Sequence, residues 1–160
     1  MKPTITVMRV LAVAAGLIAA APARSAPPAS PVSIQHIAVQ FLYETSGTLS
    51  EDIAPPSHFT PWNSVIGEGD AKESAHDVLV TAILTSPENE VVLDQPLVLV
   101  AKGPGGKVLA QRKFGYRLLE HGRFVAALFL PDAACAGKVA IEVSYGAQRS
   151  ATSVNLDCGE

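Results

Sequence analysis

Between Ser33 and Leu156, outside residues 45–76, the chain runs in short stretches of apolar and polar side chains bounded by glycine, proline and aspartate. Where these alternate, the period belongs to half-buried strands rather than helices. The first run sets Ile37, Val39, Phe41 and Tyr43 on one face against His36, Ala38, Gln40 and Leu42 on the other, and residues 78–84 form a second strand. Residues 97–101 are apolar on both faces and meet residues 107–114 across Gly103-Pro104-Gly105-Gly106. Those residues tolerate or pre-set turn dihedrals, so the two runs read as a hairpin. After Gly122, the side chains of Phe124, Ala126, Leu128 and Leu130 share a face until Pro131-Asp132 ends the run.

A last hairpin places Val139, Ile141, Val143 and Tyr145 against Thr152, Val154, Leu156 and Cys158, with a predicted loop over residues 146–150. Six or seven short strands without a long helical period predict an all-β fold, an antiparallel two-sheet β-sandwich of immunoglobulin-like architecture over residues 33–160. The likeness is to the architecture alone: both cysteines are late, and the single Trp62 lies outside any predicted strand.

A long insertion follows the first strand. Residues 45–76 show no strand period, and a stretch of that length in a compact domain is usually functional, self-packed or disordered. Self-packing is expected in part: Thr60 as N-cap, Pro61 at the first helical position and Gly67 as a left-handed stop predict a short helical turn over residues 61–66. Asp70 and Glu73 repeat the capping pattern and predict a second turn over residues 71–76.

The amino terminus has a different pattern. Lys2 and Arg9 precede an uncharged run over residues 10–21, and Ala21-Pro22-Ala23 supplies small residues, which together predict a cleavable signal peptide, residues 1–23. Cleavage after Ala26 is the second choice, because it leaves Arg24 at the minus-three position. The run is shorter than the roughly 20 apolar residues that span a bilayer, so no membrane span is expected. Residues 24–32 read as a proline-rich linker, and the expected location is periplasmic or extracellular.

Removing the leader removes two of the twelve basic residues, so ten face fifteen acidic ones and the charge falls from −3 to about −5. An acidic chain without a broad basic surface is a poor nucleic-acid binder. Met1 and Met8, the only methionines, lie in the leader and leave no thioether for Cu(I). Cys135 and Cys158, the only cysteines, are expected to pair in an oxidising compartment. The five-residue loop sets Cys158 opposite Lys138, so Ala136-Gly137 must turn the chain to close the gap.

Charge is also segregated along the chain. Residues 44–94 hold ten acids and one base, whereas residues 102–123 hold six bases and one acid. Either the acidic insertion folds against the basic hairpin, or both sets of charges are simply solvated, or Lys107, Arg112, Lys113, Arg117 and Arg123 form a face for an anionic polysaccharide, lipid head group or acidic partner.

Candidate chemistry concentrates in the insertion. Phe59, Trp62, Asn63, Ile66, Glu68 and Asp70 are the expected binding residues, with Trp62 as a rigid aromatic anchor and the acids setting partner charge. The competing arrangement has Trp62 and Ile66 pinning the insertion onto one end of the fold as a satellite of the core. A second functional class uses His58, His76, Glu68 and Asp70 to hold a divalent metal, although no His-x-x-x-His or Cys-x-x-Cys spacing occurs and Lys72 interrupts the acids. There is no Gly-x-Ser-x-Gly elbow, no His-Glu-x-x-His and no phosphate-cradling loop before a helix. The expectation is a non-catalytic binding or interaction protein with no cofactor, whose partner is a protein or glycan.

Overall fold

The computed structural model describes residues 30–158, so the expected signal peptide and residues 24–29 of the linker lie outside the described residues. Among the described residues nine strands run in order: β1 Ser33–Leu42, β2 Asp77–Thr85, β3 Glu90–Val92, β4 Leu97–Lys102, β5 Val108–Phe114, β6 Leu118–Glu120, β7 Arg123–Leu130, β8 Gly137–Tyr145 and β9 Gln148–Leu156. They build two antiparallel sheets, β1-β2-β7-β6-β3 and β5-β4-β8-β9. Alternation decides which side chains go inward: Val78, Val80, Ala82 and Leu84 of β2 are buried, as are Leu97, Leu99 and Ala101 of β4. Buried residues of both sheets form one cluster, with Phe41, Leu99, Ile141 and Leu156 fully enclosed. Buried Tyr145 at the end of β8 donates its hydroxyl to Asp94 Oδ1 at 2.7 Å, and burial pushes its phenol up from the ordinary tyrosine range.

β3 and β6 were not anticipated. Each has three residues, too few to show an alternation, and they pair with each other at one end of β7. The expected five-residue loop of the last hairpin is corrected to two residues, Gly146-Ala147, between the paired Tyr145 and Gln148. Gly146 has φ 54° while Ala147 stays at negative φ, the pattern of a hairpin turn that wants glycine first. Shortening the loop moves the register by three residues. Gly137 now faces Leu156, and two residues further out Cys135 falls opposite Cys158 with no detour through Ala136-Gly137. The two form a disulfide with Cα atoms 5.0 Å apart.

The insertion protects an edge. After β1 the chain turns at Gly47 and returns along the strand's free side, where Ser50 N–H donates to Phe41 C=O at 2.9 Å and Ile53 N–H to Val39 C=O at 2.8 Å. Side chains complete the cover: Ser50 Oγ accepts from Phe41 N–H, and Asp52 Oδ1 accepts from both Val39 N–H at 2.8 Å and Ala54 N–H at 2.9 Å. An open strand edge is a template for unwanted pairing, and this one is closed by the chain's own segment. Asp52→Ala leaves two main-chain donors without their acceptor and is expected to cost about 1–3 kcal/mol in urea unfolding. A loss below about 0.5 kcal/mol would show that water replaces the carboxylate freely.

Candidate functional site

The second half of the insertion crosses to the other sheet. Asn63 N–H donates to Asp157 C=O at 3.0 Å, and Trp62 and Asp157 form an isolated parallel bridge just beyond the end of β9. Asn63 sits in the left-handed region at φ 46° and precedes a single 3-10 turn, Ser64–Ile66, which Gly67 closes at φ 76°. The turn is thus shorter than the expected 61–66, and its N-cap position belongs to Asn63 rather than Thr60. Residues 71–76 form no helix, contrary to expectation, because Asp70 is engaged elsewhere: its Oδ2 accepts from Thr60 N–H at 2.7 Å. Gly69 permits that closure, since a Cβ there would lie 2.7 Å from Thr60 O.

Packing does not bury Trp62. Trp62 is 47% exposed and Ile66 62% exposed, so neither pins the insertion down. That task falls to Ile53, Ala54, Ser64, Ala71 and Ala75, all buried, and to Phe59, whose ring lies 6.1 Å from that of Phe41. Between residues 53–62 and β9 the insertion bows outward and leaves an open cleft of about 610 Å³. Pro55, Phe59, Pro61 and Trp62 supply its apolar wall; Ser153, Asn155 and Asp157 of the β9 side and Lys138 of β8 supply the polar one.

Of the six expected binding residues, Phe59 and Trp62 line this cleft, whereas Asn63, Ile66, Glu68 and Asp70 do not. Asn63 donates its side-chain amide to Glu68 Oε2 at 2.6 Å, and both serve the loop's own geometry, as Asp70 does. Lys138, Ser153, Asn155 and Asp157 were missed because they lie 76 to 95 residues beyond Trp62 in sequence, and only the bridge between Trp62 and Asp157 brings them near. The alternate positions of Ser153, Asn155 and Asp157 along the last strand were visible, but nothing in the sequence tied that strand or Lys138 to the insertion.

His76 Nδ1 hydrogen-bonds Glu44 Oε1, His58 is exposed, and among the described residues no three of His, Cys, Asp and Glu are grouped as metal ligands. The acidic insertion does not fold against the basic hairpin in ion pairs. Among the described residues Lys102 pairs with Glu142, and His36 and His76 hydrogen-bond the carboxylates of Asp52 and Glu44. Arg112 instead donates to Ala127 C=O at 2.9 Å and lies 4.5 Å from the centre of the Phe114 ring. No helix among the described residues is long and apolar enough to cross a membrane. Neither a known family model nor a curated protein matches this chain.

Proposed function

We propose that this is an exported, non-catalytic binding protein on an immunoglobulin-like β-sandwich, with the cleft at Trp62 as its site. Half-exposed Trp62 on the wall of a 610 Å³ cleft carries this reading, because a rigid aromatic offers large contact area at small entropic cost. The sandwich assignment is supported by strand order: β1, β2 and β7 share one sheet and β4, β8 and β9 the other, in the sequence of the A, B, E and C, F, G strands of that architecture. Export is supported by the leader pattern of residues 1–23 and by the disulfide, a bond that persists in oxidising compartments.

The test uses an array of soluble oligosaccharides and random seven-residue peptides, read with the purified protein and its Trp62→Ala variant. Because Trp62 is exposed, the variant should keep its stability within about 0.5 kcal/mol. It should lose about tenfold or more in affinity for whatever the parent retains. Unfolding of Trp62→Ala would make the residue structural, and equal binding by both proteins would move the site elsewhere.

A further inference from the structure

The geometry points to β9 as the edge to which an extended polypeptide segment adds as a further strand, inside the cleft beside Trp62. This rests on the cleft being the binding site and names the class of ligand it takes.

Four strands end the two sheets, and three of those edges are guarded. The insertion covers β1, as described. β3 has only three residues. β5 carries Arg112 and Lys113, and the Arg112 guanidinium closes the side of β7 that faces it. β9 is different: nine residues long, paired only with β8, and without charge or proline from Ser150 to Leu156. A long uncharged edge of this kind is what added strands pair with.

Main-chain direction agrees. In a strand the N–H and C=O groups of alternate residues point to the same side. Asp157 C=O faces the insertion, where it takes the Asn63 N–H, so Asn155 and Ser153 also direct their main-chain groups into the cleft. The insertion thus makes the first bond of a parallel pairing with β9 and then bows away, leaving the edge at Ser153 and Asn155 unmatched, while at the strand's start the Gln148 side chain is tied to Val32 C=O at 2.6 Å and to Ile34 N–H at 3.3 Å. Strand spacing, rise and sheet thickness give about 160 Å³ per residue, so 610 Å³ holds about four residues of extended chain. That admits a segment but not a second folded domain. Main-chain groups repeating every 7 Å or so match another main chain, whereas a sugar would use Trp62 and leave that row unpaired.

The experiment pans a displayed library of random seven-residue peptides on the purified protein expressed from its full sequence, then resynthesises the recovered peptides. Titration is followed by Trp62 emission, which reports this site alone because the chain has one tryptophan, and by calorimetry for Trp62→Ala. Methylating alternate amide nitrogens of a recovered peptide should weaken binding about tenfold or more, and Ser153→Pro should do the same while circular dichroism stays that of the parent. Proline at that outward-facing position removes an edge donor and spares the bonds to β8.

Peptides that bind the methylated form or Ser153→Pro as well as the parent would overturn the inference. So would finding that no recovered peptide saturates below about 1 mM. Should Ser153→Pro not fold, amide methylation alone decides. A response to chitohexaose or cellohexaose in place of peptides would refute the strand-addition inference and leave the binding function standing. Dimerisation abolished by Ser153→Pro would assign the edge to a second copy instead. Peptide binding that survives Trp62→Ala but not amide methylation would remove the anchor and keep the edge, so the two readings fail separately.

Discussion

Phe41→Ala is expected to lower the unfolding free energy by about 3–5 kcal/mol, read as a fall in the urea midpoint with an unchanged slope. Phe41 is fully buried in the strand whose free side the insertion covers, and its ring meets that of Phe59 at 6.1 Å and a 45° tilt. Removing it empties a core position and also takes away the surface on which the insertion is seated. Phe59→Ala should cost less, since that ring is only partly buried. The two losses should not add: a double-mutant cycle is expected to return a coupling of about 0.5–1.5 kcal/mol. A loss below about 1 kcal/mol for Phe41→Ala would mean the core closes over the vacancy.

Replacing both cysteines with serine should cost about 3 kcal/mol, the chain-entropy value for a closed loop of 23 residues. Thermal unfolding would then shift by on the order of 10 °C for a domain of this size. Position adds a local effect to the global one. Cys158 directly follows Asp157, whose carbonyl holds the Asn63 N–H, so the bridge anchors the last strand exactly where the insertion attaches to it. Hydrogen exchange at the Asn63 amide should therefore accelerate more than at Val39, whose amide is held by Asp52 on the far side of the insertion. Equal acceleration at both amides would show that the bridge acts only through global stability.

Most of the strands were legible because they bury one face, and an alternation over six to ten residues is hard to produce otherwise. Val78 to Leu84 and Phe124 to Leu130 show it plainly. Three residues cannot show it, which is why Glu90–Val92 and Leu118–Glu120 went unread. Arg149 and Ser150 were assigned to a loop because they are polar, yet they pair with Ser144 and Val143. The hairpin's tight turn rests on Gly146 alone, and glycine has many uses. At the site, sequence singled out Phe59 and Trp62 by composition, an aromatic pair in a loop. It placed Glu68 and Asp70 in the same role, although one oxygen of each accepts from an amide of the loop itself. Which acid faces outward depends on a fold of the insertion that Gly69 permits but does not announce.

The cover over β1 bears on the order in which the chain comes into being. Phe41 and Val39 receive their edge partners from Ser50 and Ile53, nine and fourteen residues on, whereas β2 begins only at Asp77. As synthesis proceeds from the amino terminus, the first strand therefore meets its own shield before its sheet neighbour exists. A nascent apolar strand waiting for distant partners is otherwise the part of a β-protein most exposed to pairing with another chain. In this molecule the long insertion doubles as an escort for the segment that precedes it.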